Sequence, residues 1–238
     1  MISVIACTNR GDFIKNIIRN FVKQTIVEKE LILILNSSSI ILDHNVLNGI
    51  RSKILRLPEE TSLGECLNEG VAAASYPIIS KMDDDDYYGP GYLQEAFDSL
   101  KENGAELVGK SSFYIYFNKK HELRLYNPNH ENEWIDTNAQ YGNRSENFLH
   151  GATLVFNKNL FNQVAFPPIN VGEDYVFQQL CLKNQIKMYS LSSKYYVYFR
   201  YENPQHHTSD VRESILRSRS RFVKNTLSVD RFMERRER

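Results

Sequence analysis

Four consecutive aspartates, Asp83, Asp84, Asp85 and Asp86, stand directly after an apolar run at residues 77–82. Adjacent carboxylates repel one another unless something positive is near, so this cluster predicts a bound cation or cationic neighbours. In an extended chain Asp83 and Asp85 project to one side. That D-x-D spacing can place two carboxylates on one hard divalent ion, Mg²⁺ or Mn²⁺, which can in turn hold a diphosphate. A plainer use competes for one or two of the four: Asp86 and its neighbours can cap the turn written by Tyr87, Tyr88, Gly89 and Pro90. A calcium loop counted from Asp84 puts Asp86 third, Gly89 sixth and Glu95 twelfth, but Tyr88 occupies the fifth position and a strand, not a helix, leads in.

The elements that must carry this cluster are legible in the hydrophobic pattern. Residues 2–7 form a short apolar run closed by turn formers, and Phe13, Ile14, Ile17, Ile18, Phe21 and Val22 then recur at helical spacing. A second apolar block, residues 30–35, ends in Asn36 and three serines, as a buried parallel strand delivering a polar loop would. Ser62 and Glu65 make the S-x-x-E pattern of a capping box, so a helix is expected from about Leu63 to Ser75, followed by a strand at 77–82. Strands alternating with helices predict a doubly wound α/β sheet with ligands at the carboxyl ends of its strands.

From Glu106 the pattern loosens. An aromatic stretch at 113–117 and a polar, Asn-rich segment at 126–147 are expected to form loops or a flap. Order returns with residues 152–156, a helix-like stretch at 175–182 and an aromatic strand at 195–201. From Asp210 onward nine basic residues face five acidic ones, and the segment is expected to be helical and peripheral.

Composition narrows the function classes. Lysine plus arginine equal aspartate plus glutamate over 238 residues, so no global basic field concentrates the chain on nucleic acid. Three cysteines, Cys7, Cys66 and Cys181, lie far apart and in no paired metal spacing, which predicts a reducing, cytoplasmic setting. The apolar start is too short for a secretory leader, and no run approaches a membrane span.

With these pieces in order, the chain resembles family 2 of the glycosyltransferases, which have the GT-A fold. Residues 2–10 match the family's strand and T-x-N-R-like turn, and Gln24 and Thr25 match the Q-T that ends its first helix. Residues 62–86 look like its S-L-G-x-x-x-N helix leading to x-M-D-x-D-D, and Pro90 falls at the proline usual after it. The resemblance covers residues 2–100 closely and 148–208 more loosely. It implies one GT-A domain over residues 1–210, with a nucleotide-binding half at 1–110 and an acceptor-binding half at 111–210, and a basic helical tail at 211–238.

What the resemblance implies for individual residues follows the motifs. Asp85 is the main metal ligand and Asp83 a contact to metal or ribose. Thr8, Arg10, Gly64, Asn68, Lys81 and Asp84 fall among positions lining the donor, with Lys81 where relatives often carry arginine. Asn36 stands where the family usually has an aspartate accepting from uracil; its amide can still accept and donate, and a UDP-sugar remains the favoured donor. Glu173 and Asp174 match the E-D motif, with Asp174 as general base of inverting transfer and Glu173 as an orienting neighbour. The bland alternative is that the pair only favours a helix amino terminus. Of His206 and His207, the second, next to Thr208, is the choice for a third metal ligand. His150 and Gly151 begin a strand that in relatives borders the donor sugar, and Trp134 could stack on an acceptor sugar.

The expected function is therefore metal-dependent, inverting transfer of a sugar from a nucleotide-diphosphate sugar to a hydroxyl of a glycan, lipid-linked or protein acceptor. Mn²⁺ or Mg²⁺ is the implied cofactor. The basic tail could touch an anionic membrane or another copy of the chain. Two other classes compete. A non-catalytic binding protein on the same scaffold has no chemical need for the D-x-D, E-D and histidine features together. A sugar-nucleotide nucleotidyltransferase wants a Gly-rich phosphate loop after the first strand, where this chain has only Gly11.

Overall fold

The computed structural model describes residues 1–135, 148–201 and 211–236. Its first half is built on β1 (Ile2–Thr8), whose only partly exposed residue is Cys7. A strand buried on both faces needs partners on both edges. β2 (Lys29–Leu35) pairs with it in parallel on one side, β3 (Ser52–Arg56) continues in parallel beyond β2, and β4 (Ile78–Lys81) pairs in parallel on the other side. Two helices cover this sheet. α1 (Ile14–Val22) buries Ile14, Ile17 and Phe21, the helical stripe read from the sequence. α2 (Leu63–Ala73) begins with the expected capping box: Ser62 Oγ accepts from the Glu65 backbone N–H, and Glu65 returns a carboxylate oxygen to the Ser62 N–H at 3.0 Å. Gly70 lets α2 lie close on the sheet, since a Cβ there would come within 2.6 Å of Ile5 Cγ2.

The second half adds β5 (Tyr87–Tyr88), α3 (Tyr92–Asn103), β6 (Leu107–Gly109), β7 (Phe113–Phe117), β8 (Glu122–Tyr126), β9 (Glu133–Trp134) and β10 (Val155–Asn157). After them come α4 (Glu173–Lys183), β11 (Met188–Ser190), β12 (Tyr196–Arg200), α5 (Glu213–Ser218), β13 (Ser220–Asn225) and α6 (Val229–Arg236). The large sheet has the order β3-β2-β1-β4-β10-β6-β11-β9, and a smaller one the order β13-β8-β7-β12-β5. β10 runs antiparallel to both its neighbours, so the large sheet is mixed but mainly parallel, as the expected α/β class requires.

Two expectations change. Residues 113–117, expected in a loop, are β7, every residue of which is buried. A strand of four aromatic residues and Ile115, sealed on both faces, shows no alternation for a sequence reading to find. The tail expected to be helical and peripheral contains β13, which pairs antiparallel with β8, while Val229 and Met233 of α6 are buried. Its arginines are partly spent inside the fold: Arg217 pairs with Glu122 and Glu213 and lies 4.1 Å over the Phe117 ring. Among the described residues no helix is long and apolar enough to cross a membrane, and the three cysteines are free.

Candidate active site

β4 belongs to the large sheet and β5 to the small one, and the connection between them is Met82 followed by the four aspartates, Asp83 to Asp86. The acidic cluster is thus the hinge-pin between the two sheets, and each carboxylate has a different fate. Asp86 is buried and anchors the small sheet: one oxygen accepts from Tyr196 OH at 2.5 Å and the other from the Phe199 N–H at 2.9 Å, both on β12. Its backbone carbonyl accepts from Asn16 and Asn20 of α1. The anticipated use of Asp86, capping the turn at residues 87–90, is replaced by this long-range anchoring to β12. Asp84 turns the other way, accepting from Thr8 Oγ1 at 2.5 Å and from the Arg10 guanidinium.

Asp85 lies 3.1 Å from Arg10 Nη2 and Asp83 lies 2.6 Å from Lys81 Nζ. The chain leaves β4 at Lys81 and bends through residues 84–86 rather than staying extended, so Asp83 and Asp85 sit on different cations. Burial, and then the neighbouring Asp84 charge, push the Asp85 carboxyl up to about 7 against the pull of Arg10. A divalent ion would relieve that same repulsion, and hard carboxylate oxygens suit Mn²⁺ or Mg²⁺. The donor chemistry fits the implied metal to this extent. Among the described residues no group of three or more His, Cys, Asp or Glu side chains is arranged as a complete metal centre, and His206 and His207 lie outside the described residues.

Lys81 joins the two motifs. Its ammonium, 6% exposed, stands 2.6 Å from Asp83 and 4.0 Å from Glu173 at the start of α4. Burial alone would lower it, but Asp83, Glu173 and Asp174 outweigh burial and hold it above the ordinary lysine range. Burial pushes the Glu173 carboxyl up to about 7 despite Lys81. Glu173 is sealed in the fold, while Asp174 is partly exposed and accepts the Tyr175 N–H at 2.8 Å through Oδ1. Its Oδ2 lies against Gly151: a Cβ at that glycine would come within 1.8 Å of it. The residue must be glycine for α4 to present Asp174 here.

The remaining expected residues part company. Asn36 follows β2, and its NH₂ donates to the Pro58 carbonyl at 2.5 Å, which leaves the amide oxygen for a ligand. Beside it opens a cavity of about 710 Å³ lined by Leu35, Ser37, Ser38, Arg56, Pro58 and Glu59, at the carboxyl ends of β2 and β3. Glu59 receives the hydroxyls of Ser37 and Ser38. Gly64 and Asn68, expected at the donor, are occupied with packing. A Cβ at Gly64 would overlap the Pro167 carbonyl, and the Asn68 amide both donates to and accepts from the Phe166 backbone at 2.9 and 3.0 Å. Trp134 is half exposed on edge strand β9, edge-on to Tyr189. Sequence reasoning missed Tyr196 and Tyr201, whose hydroxyls reach Asp86 and the Asp85 carbonyl; their place in the aromatic strand was visible, their partners 110 or more residues away were not.

Known proteins share this frame. The family model described as Glycosyl transferase family 2 matches residues 3–165. The O-antigen biosynthesis glycosyltransferase WbnJ of Escherichia coli is 33% identical over 136 residues, 55% of this chain and 53% of WbnJ, so the chain spans about half the length of that curated relative. The crystal structure of S. aureus TarS 1-349 in complex with UDP-GlcNAc superposes with a TM-score of 0.65 at 18% identity, over 89% of this chain and 61% of that one. The mannosyltransferase PcManGT from Pyrobaculum calidifontis, in complex with GDP-Man and Mn²⁺, gives 0.57 at 14% identity, over 86% and 57%. At these identities the two structures establish the fold.

Proposed function

The chain belongs to glycosyl transferase family 2, and from that premise we propose that it transfers a sugar from a nucleotide-diphosphate donor to a hydroxyl of a glycan, with inversion at the anomeric carbon. The observation that carries this reading is the position of Lys81 between Asp83 and Glu173, which puts the acidic cluster and the E-D pair at one end of the large sheet. The cavity beside Asn36, at the ends of β2 and β3, is where the nucleoside would sit, with the amide oxygen of Asn36 accepting from the base. A UDP-sugar is the favoured donor. TarS in complex with UDP-GlcNAc supports that choice, and PcManGT with GDP-Man and Mn²⁺ supports the metal. The O-antigen role named for WbnJ supports a glycan acceptor.

Asp83 and Asp85, with His207 as the expected third ligand, are the residues that would hold the metal. When bound, Mn²⁺ or Mg²⁺ would supply positive charge to the departing diphosphate. Lys81 adds a fixed positive charge beside it, already desolvated and so electrostatically strong. Asp174 takes the proton of the acceptor hydroxyl through its open edge, and Glu173, sealed beside Lys81, fixes the start of α4.

Asp174→Asn tests the assignment. Donor binding, followed by titration of UDP-sugar with Mn²⁺, is expected to be preserved while transfer to a glycan is lost. Transfer at the parent rate in that variant removes Asp174 as base. Asp85→Ala is expected to give the converse, loss of metal-dependent donor binding.

A further inference from the structure

Two free cysteines meet where α2 lies on β1. Side chains alternate along a strand, so Ile5 and Cys7 project to the same face of the sheet, where they pack in one apolar cluster with Cys66, Leu67 and Val71 of α2. α2 leads from β3 to β4, both parallel to β1, so this crossover helix points back along the strands. Gly70 rests on Ile5. Four residues back toward the start of α2 cover about 6 Å of helix, and two residues on toward the end of β1 cover about 6.6 Å of strand. The two steps match, and they lead from Gly70 to Cys66 and from Ile5 to Cys7. The thiols are near enough for each to be the strongest influence on the other's proton: Cys66 holds Cys7 well above the ordinary thiol value, and Cys7 lowers Cys66. With no side chain at Gly70 the helix lies low on the strand, as a bond between cysteines whose Cα atoms stand about 6 Å apart requires.

Each cysteine sits beside a different part of the site. Cys7 precedes Thr8, whose hydroxyl gives to Asp84 at 2.5 Å. The first turn of α2 holds the segment that leads into Glu173 and Asp174: the Leu63 N–H donates to Asn170 Oδ1 at 2.8 Å, and the Gly64 N–H to the Ile169 carbonyl at 3.1 Å. A disulfide is far shorter than any non-bonded sulfur contact, so joining the pair draws the end of β1 and the start of α2 toward each other. That movement reaches both the acidic cluster and the approach to the E-D pair.

We infer that Cys7 and Cys66 form a modification site: hydrogen peroxide joins them in a disulfide that pins the first turn of α2 to the end of β1 and slows sugar transfer. Cys7 is partly exposed and Cys66 is sealed, so Cys7 meets the oxidant first. Its sulfur, as thiolate, attacks one peroxide oxygen; the O–O bond breaks, and the hydroxide released takes the thiol's proton and leaves as water. Cys7 is then a sulfenic acid. The Cys66 sulfur attacks the Cys7 sulfur, the S–O bond breaks, and hydroxide leaves as a second water with the Cys66 proton. Two thiols lose two electrons in all, and one peroxide becomes two waters. Because Cys66 and burial keep Cys7 protonated, the reaction is slow, and the pair closes under sustained oxidant rather than traces of it. The effect on transfer rests on the transferase reading; the bond itself does not.

The test treats the full chain with hydrogen peroxide, removes the excess with catalase, alkylates the remaining thiols and digests the protein without reductant. The expected product is lighter by two hydrogens and yields a linked pair of peptides carrying Cys7 and Cys66, with Cys181 alkylated. Transfer from a UDP-sugar with Mn²⁺ should fall about tenfold or more and return with dithiothreitol. Cys7→Ser and, separately, Cys66→Ala should transfer at the parent rate before peroxide and keep that rate after it. Cys7 oxidised alone to sulfinic acid, with Cys66 still open to alkylation, overturns the inference, as does a bond to Cys181 or between two chains. Linked protein that transfers at the parent rate overturns it too. Should either variant fold poorly, the linked peptides and the recovery with dithiothreitol in the parent decide the matter. A reduced parent that transfers no sugar sinks the transferase reading instead, while the peptide map still decides the bond.

Discussion

Two lysines occupy matching places in the large sheet. Lys81 closes β4 and Lys110 follows β6, and these strands flank β10 at the same level, Val155 lying opposite both Ser80 and Val108. Both ammonium groups are buried, yet their surroundings differ in one respect. Lys110 gives its protons to Glu95 at 2.8 Å and to the Ser192 carbonyl at 2.6 Å, and burial lowers its proton affinity in spite of Glu95. Lys81 faces Asp83, Glu173 and Asp174 together, and its affinity rises. One lysine is balanced, and its pair holds α3 to the loop after β11. The other sits in an excess of negative charge that the protein does not neutralise by itself. Such an imbalance costs stability and is the condition for binding a positive or phosphate-bridging ligand.

Replacing each lysine by methionine should separate the two. Lys81→Met is expected to reduce transfer about a thousandfold, as loss of a fixed charge at a developing anion does, with folding preserved in circular dichroism. A variant of unchanged kcat would erase the distinction. Lys110→Met should leave kcat within a small factor but cost about 3 kcal/mol in urea unfolding, because partly buried Glu95 keeps its bonds to Ser192 but loses its cation. Glu173→Gln sharpens the contrast through pH. The folded Glu173 carboxyl, at about 7, binds its proton more tightly than the ordinary value of 4.5 in the unfolded chain. Its contribution is therefore most favourable below about 4.5 and is lost as pH rises through about 7. The glutamine variant should gain relative to the parent over that window, on the order of 3 kcal/mol in unfolding free energy. Smallest of all, Ser62→Ala removes the cap of α2, remote from both lysines, and should cost about 1 kcal/mol without moving KM.

The half of the molecule around Lys81 was readable because its signals are local. β1, α1, β2, the Ser62–Glu65 capping box and β4 each announce themselves within a dozen residues, and the acidic cluster emerges where an apolar strand stops. α4 and β12 were visible for the same reason. β3, a short strand with no fully buried residue, was missed, as was α3, although Tyr92, Leu93, Ala96 and Leu100 carry its buried stripe and Gly104, at φ +69°, ends it. The small sheet was illegible for a different cause. β7 pairs with β12 across more than 80 residues and β8 with β13 across about 100, and no local pattern records such partnerships. The division of labour within the acidic cluster was hidden in the same way. Nothing in four identical letters says that Asp86 would bind β12 while Asp84 turned to Arg10.

The pairing of β13 with β8 means that the chain's last strand supplies the hem of the small sheet. Cut back before Ser220, the molecule would bare the backbone donors and acceptors of β8, which a neighbouring chain can bind as readily as β13 does. Shortened versions should therefore clump through that selvage while the distant pocket at β2 and β3 stays whole.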